Sequence, residues 1–89
     1  IFAEHKMIVK NDLQIAKKAN MKSVVLEYNY LLENPVIEVG QMLEDLQMTF
    51  ATLSKATAIL QDNGILVQIA GAQRYRIFMY KNIIDLFEK

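Results

Sequence analysis

Residues 36–66 constrain the fold of this chain more than any other stretch. Their apolar side chains recur at the i, i+3, i+4, i+7 spacing that lines one face of a helix. The first set is Val39, Met42, Leu43 and Leu46, and the second set is Met48, Leu53, Ala56 and Leu60. Thr49 stands between the sets, where its hydroxyl can accept a hydrogen bond from the first turn of the second helix. The pattern predicts a helix-turn-helix over about residues 39–63.

The residues that follow indicate a β-hairpin. Residues 65–70 and 74–80 alternate in the manner of strands, around a short loop at residues 71–73. Apolar side chains occupy both faces of the second strand, so the sequence leaves open which face is buried. Val36-Ile37, ahead of the helix pair, is long enough only for a brief strand of the kind that pairs with such a hairpin.

A leading helix is predicted over residues 1–20. Ile1, Ile8 and Ile15 repeat every seven residues and give this helix an apolar stripe. The stripe suits packing on the core of the domain, on a preceding domain or on a twin chain. We expect the helix to act as a linker to a preceding domain.

Two more helices complete the expected fold. Ser23 is a candidate N-cap for a helix that Asn34-Pro35 ends, because proline disfavours the helical conformation in the residue before it. Residues 81–89 predict a short closing helix that covers one end of the core with Ile83, Ile84, Leu86 and Phe87. The expected fold is mainly α with a small β-hairpin. It is a winged helix-turn-helix over residues 23–89, with the wing at about 65–80, an additional N-terminal helix and a short C-terminal helix.

Composition limits the class of protein. The chain has 89 residues and no cysteine, which predicts one small domain in a reducing cytoplasm. No apolar run approaches the ~20 residues that span a bilayer, so no membrane partner is expected. Because the chain begins at Ile1 rather than at methionine, we expect it to be a fragment of a longer protein.

Charge is unevenly distributed along a chain whose net charge is zero. Residues 1–22 carry five lysines against two acids, and residues 64–89 carry four basic residues against two acids. Residues 23–63, which include the helix pair, carry six acids against Lys55 alone. A DNA-binding helix pair gains most of its affinity from neutralised phosphates, so this distribution disfavours a free-standing DNA-binding domain.

The side chains that catalysis needs are missing. His5 is the only histidine, and without a cysteine or a second histidine it suggests a structural or solvated group rather than a metal ligand. Glu44 and Asp45 are adjacent but point to different sides of a helix, so they do not form a catalytic pair. The sequence has no Ser-His-Asp set and no glycine-rich phosphate loop. We therefore expect a chain that is not an enzyme and has no cofactor, metal or small-molecule substrate.

Three motifs occur in order along residues 31–88. They are ENPV at 33–36, T-x-S-K-A at 52–56 with the exit L-x-x-x-G-I-L at 60–66, and R-x-R-[apolar]-[aromatic]-x-Y at 74–80. In this order they resemble the C-terminal winged-helix domain that follows the catalytic domain in many bacterial Fic (Fic/DOC) proteins. The resemblance implies a domain of a nucleotidyltransferase-type protein that does not itself hold the active site. The family's HPFxxGNGR-type catalytic loop does not occur in this sequence.

Double-stranded DNA is one candidate partner. In a winged helix the second helix of the pair faces the major groove and the wing reaches the backbone. On that geometry the DNA-binding residues are Thr49, Phe50, Thr52, Ser54, Lys55, Gln73, Arg74 and Arg76. Two departures from the usual motif indicate a scaffold more than a reader of bases. Leu43 stands where a small residue is usual, and Gln47 stands where glycine is usual because the backbone there tends to positive φ.

A protein is the other candidate partner, either a second copy of this chain or a preceding Fic catalytic domain. The high apolar content of 53%, the stripe of the first helix and the exposed-looking Phe50, Phe78 and Tyr80 favour a dimerisation or regulatory module. The sequence leaves the choice between DNA and protein open.

Overall fold

Residues 2–88 are described by the computed structural model, except for the side chains of Phe2 and Arg74. Their order is α1 (Phe2–Lys18), α2 (Lys22–Glu33), β1 (Val36–Glu38), α3 (Val39–Leu46), α4 (Phe50–Asp62), β2 (Leu66–Ala70), a 3-10 helix (Gln73–Tyr75), β3 (Ile77–Tyr80) and α5 (Lys81–Glu88). The protein is mainly helical with a small three-stranded antiparallel sheet, as the sequence predicted.

Local backbone chemistry sets the ends of α3 and α4. The side chain of Glu38 accepts a hydrogen bond from the backbone N–H of Gln41 and so caps the start of α3. Gln47 ends α3 in the left-handed conformation, with φ of 52°, which confirms the positive φ expected at this turn. Thr49 caps α4 by accepting a hydrogen bond from the N–H of Thr52, and this prediction is also confirmed. The conformation of the turn between α3 and α4 is therefore determined by Gln47 and Thr49.

The sheet has the order β1-β3-β2, with both pairs antiparallel. β1 pairs Ile37 with Phe78, which confirms the predicted pairing of the brief strand with the hairpin. β2 pairs Leu66 with Tyr80, and an irregularity follows at Gln68. Phe78 and Tyr80 have no exposed surface, so the face of β3 that carries them is the buried one.

Two expectations about where elements begin are wrong. The second strand was expected over residues 74–80, but β3 begins only at Ile77, because the chain before it winds into the 3-10 helix. Ser23 does not cap α2, which begins at Lys22 after Met21 and has no side-chain cap. Phe78 and Tyr80 look exposed in a sequence that leaves the buried face of this strand open, and the structure shows them fully buried because β3 turns their side chains towards the helices.

The hydrophobic core lies where α2 and α4 pack together and against the sheet. Its largest fully buried apolar side chains are Tyr28, Tyr80, Phe78, Leu31, Met42, Leu53, Leu60, Ile65 and Leu66. α5 adds Ile83 and Leu86 to the buried set. Phe87, expected to cover the core as well, is 64% exposed because it lies on the outer side of this short helix.

A buried polar network fastens α1 to the rest of the domain. The Tyr80 hydroxyl donates to Asp12 Oδ2 at 2.5 Å and lies 2.8 Å from the Tyr28 hydroxyl. The Tyr28 hydroxyl also lies 3.4 Å from the backbone carbonyl oxygen of Val9, to which it donates. Ala16 is fully buried, and Ile8 and Ile15 pack against the core at its edge. α1 thus packs on α2 and α5, whereas its expected role as a linker to a preceding domain stays a prediction.

Candidate interaction surface on α4 and the hairpin

One side of α4 faces solvent along its whole length. Ala51, Lys55, Ala58 and Asp62 are exposed at the spacing of a single helix face, and Thr52 lies beside them. The opposite side is buried through Leu53, Ala56, Thr57 and Leu60. The exposed face carries two alanines, one cation and one anion.

Only part of the predicted DNA-binding set on α4 reaches this face. Thr49, Thr52 and Lys55 are exposed. The Thr49 hydroxyl, however, accepts a hydrogen bond from the Thr52 N–H at 3.2 Å and donates one to the Thr52 hydroxyl at 2.9 Å. Phe50 is half-buried and packs against the core. Ser54 is half-buried too, and its enclosed hydroxyl has no hydrogen-bond partner among the described residues. Phe50 and Ser54 are therefore poorly placed to read bases.

The hairpin tip, defined as residues 71–76, holds the other three predicted residues. Gln73 is exposed, with a φ of 51°. Arg76 is half-buried, its Nε donates to the Gln73 carbonyl oxygen at 3.0 Å, and its guanidinium lies 5.4 Å from the centre of the Phe78 ring. The side chain of Arg74 lies outside the described part of the structure. The Arg76 guanidinium is thus held against the hairpin by a hydrogen bond and a cation–π contact.

Carboxylates dominate α3, the helix that precedes α4. Glu44 and Asp45 are exposed on it, and Glu38 is exposed at its start. Asp45 accepts hydrogen bonds from the Tyr30 hydroxyl at 2.6 Å and from Gln41 Nε2 at 3.0 Å. These bonds, chiefly the one from Tyr30, hold the pKa of Asp45 below its usual value. Desolvation, together with the Asp45 carboxylate, raises the pKa of Tyr30 to about 12. Asp45 therefore stays ionised and α3 stays negative.

A groove of about 400 Å³ separates α3 from the hairpin tip. Its lining residues are Glu38, Gly40, Gln41, Leu43, Glu44 and Tyr75. Tyr75 is 77% exposed and forms the wall on the hairpin side. This groove could not be predicted from the sequence, because Tyr75 was expected inside a strand rather than in the 3-10 helix that turns it towards α3.

A carboxylate is buried beneath α4. Glu27 of α2 has no exposed surface, and the Thr57 hydroxyl lies 3.1 Å and 3.0 Å from its two carboxylate oxygens. Burial raises the pKa of Glu27 from 4.5 to about 7, although the hydrogen bond from Thr57 acts in the opposite direction. The periodicity of α2 could have revealed this position, since Glu27 lies one turn from both Val24 and Leu31 on the core face.

The part of the chain that the structure describes contains neither a candidate metal site nor a candidate membrane-spanning helix. The described residues contain no group of three or more His, Cys, Asp or Glu side chains placed to hold a metal ion. Among the helices of the described part of the chain, none has the length and apolar character needed to cross a bilayer. The chain matches no family model, no curated protein and no solved structure.

Proposed function

We propose that the chain is a non-catalytic winged-helix domain that contacts another protein. Helix, short strand, helix pair and hairpin follow one another in the order of a winged helix, with α4 as the second helix of the pair and β2–β3 as the wing. The antiparallel pairing of β1 with β3 supports this architecture. A cytoplasmic location suits a domain without cysteine.

The parent of this domain, in the same proposal, is a bacterial Fic-type protein. The ENPV motif, residues 33–36, lies where the sheet starts, because the Pro35 carbonyl oxygen accepts the Tyr80 N–H at 2.7 Å. In the L-x-x-x-G-I-L motif, Gly64 takes a φ of 74° and Ile65 and Leu66 enter the core. Each motif residue named here thus serves a definite role in the fold, as expected of a domain-level resemblance.

The distribution of charged side chains around α4 is the observation that favours a protein partner over DNA. Lys55 is the one cation of α4, Arg76 is held within the hairpin, and the neighbouring helix α3 presents Glu44 and Asp45. A DNA backbone brought to this surface would meet carboxylates where it needs several phosphate contacts. A protein can instead pack on the small exposed side chains of Ala51 and Ala58.

Differential capture from a cell extract tests this proposal. The immobilised domain is compared with an Ala51→Gln/Ala58→Gln variant, in which two neutral, helix-compatible side chains stand on the α4 face. The matched control is Ala3→Gln, an exposed alanine on α1. We expect proteins that the wild type and the control retain after nuclease treatment and that the α4 variant loses. Equal capture by all three domains would contradict the proposal, as would capture that nuclease abolishes.

DNA remains the second candidate, on one observation. Thr49, Thr52 and Lys55 are exposed in the N-terminal half of α4, the part that a recognition helix turns to the major groove. Binding of this kind would depend on Lys55 and would weaken steeply with salt.

A further inference from the structure

Lysines line one exposed side of α1. Lys6, Lys10 and Lys17 lie within about 40° of one another around the helix axis and extend over about 16 Å along it. All three are exposed, whereas Asp12 and Ala16 on the opposite side are buried. We call Lys6, Lys10 and Lys17 the lysine face. Neither of the acids of α1, Glu4 and Asp12, lies on it.

The groove between α3 and the hairpin tip has complementary chemistry. The side chain of Glu44 is exposed, and its carboxylate makes no hydrogen bond or ion pair with the described residues. Glu38 uses Oε1 to accept the Gln41 N–H at 3.3 Å, which leaves its second carboxylate oxygen available. Tyr75 and Leu43 give the groove an aromatic and an aliphatic wall. Such a groove suits a lysine, whose methylene stem packs on apolar surface while its ammonium meets a carboxylate.

We propose that the groove binds the lysine face of a second copy of this chain. The opposite charges of the two surfaces support this occupant, and the net charge of zero means that no overall repulsion separates two copies. The lysine face belongs to α1 and the groove to α3 and the hairpin tip, so one copy offers both halves of the contact at different places. The association is therefore head-to-tail and can extend beyond a dimer.

This contact does not depend on the proposed function, because neither the lysine face nor the lining of the groove includes a residue of α4. It consists of ion pairs at the surface, which salt screens over about 10 Å at 0.1 M ionic strength. The association is accordingly weak and salt-sensitive.

Sedimentation velocity over a range of protein concentrations, at low and at high salt, tests the proposal. The wild type should gain mass with concentration at low salt and become monomeric at high salt. Glu44→Lys and Lys10→Glu/Lys17→Glu should each weaken association roughly tenfold or more, because each charge reversal removes an attraction across the contact and puts a repulsion in its place. Asp62→Lys and Lys22→Glu reverse exposed charges elsewhere and should associate like the wild type.

The decisive experiment mixes the groove variant, Glu44→Lys, with the lysine-face variant, Lys10→Glu/Lys17→Glu. The Lys10→Glu/Lys17→Glu copy keeps an acidic groove and the Glu44→Lys copy keeps its lysine face, so the mixture should recover association that neither variant shows alone. A wild type that stays monomeric at low salt would overturn the proposal. Variants that associate like the wild type, or a mixture that stays monomeric, would overturn it equally.

Discussion

At the scale of single residues, Glu27 makes stability depend on pH. Its carboxyl is buried between α2 and α4, with a pKa raised from 4.5 to about 7. The folded state therefore binds this proton more tightly than the unfolded state does. The resulting stabilisation is complete below pH 4.5 and is lost as the pH rises through about 7. The loss amounts to about 3 kcal/mol at most.

Glu27→Gln should remove this pH dependence. The variant is expected to have nearly the wild-type free energy of unfolding at pH 4.5 and to exceed it by up to about 3 kcal/mol at pH 8, because glutamine brings no charge into the core. Urea denaturation at the two pH values measures the difference. Glu33→Gln, the same change at an exposed position of α2, is the control and should show no such gain. A Glu27→Gln effect of equal size at both pH values would contradict the account.

Tyr80→Phe should destabilise the domain through Asp12. The change removes the hydroxyl that donates to the buried Asp12 carboxylate and that contacts the Tyr28 hydroxyl, so both groups lose a buried partner. We expect a loss of about 1–3 kcal/mol in the free energy of unfolding and faster amide exchange along α1. Tyr75→Phe, at a 77% exposed tyrosine, should change stability by less than about 0.5 kcal/mol. Equal effects of the two substitutions would show that the network does not hold α1.

The residue roles that could be predicted from the sequence depend on contacts between residues that are close along the chain. Thr49 caps α4 through Thr52, and Gln47 takes a positive φ, because cap and turn chemistry is local. The partners of Asp12 and Glu27 are 68 and 30 residues away, so periodicity alone could not reveal them.

At the scale of elements, the hairpin tip is where sequence and structure differ most. Alternation predicted a strand over residues 74–80, but the chain makes a 3-10 helix first and reaches β3 at Ile77. Gly71 takes a φ of 79°, and a Cβ there would collide with the carbonyl oxygen of Tyr75. The tip is thus packed back on itself through contacts between near neighbours that the two-residue alternation of a strand does not encode. The helices and their order were predictable because the apolar residues of each helical segment recur with a period of about 3.6 residues.

Gly71→Ala should therefore disturb the hairpin tip more than an ordinary glycine substitution. Gly64 has a similar φ of 74°, yet a Cβ there would meet nothing within 4 Å. Gly64→Ala should cost about 1–2 kcal/mol from backbone strain alone, and Gly71→Ala should cost more because a collision adds to the strain. Unfolding measurements, with NMR shifts of the Gln73 and Tyr75 amides, compare the pair. A smaller cost at Gly71 would mean that the tip relaxes freely and that its observed conformation is not needed.

At the scale of the whole molecule, positive and negative side chains predominate on different helices. The lysines of α1 and the carboxylates of α3 belong to different helices, and the exposed face of α4 carries one cation, Lys55. The sequence already indicated that the helix pair is acidic. It could not indicate that Arg76 is held by Gln73 and Phe78, since that depends on how the hairpin tip folds. Both observations favour a protein over DNA as the partner of α4.

A DNA titration distinguishes a protein partner of α4 from a DNA partner. Fluorescence anisotropy of a labelled random-sequence duplex would be followed with the wild type and Lys55→Ala at low and at moderate salt, with Lys22→Ala as the control. We predict no rise in anisotropy at micromolar protein even at low salt, where attraction to phosphate is strongest. Micromolar or tighter binding that falls steeply with salt and weakens with Lys55→Ala but not with Lys22→Ala would contradict the account and identify α4 as a DNA-binding helix.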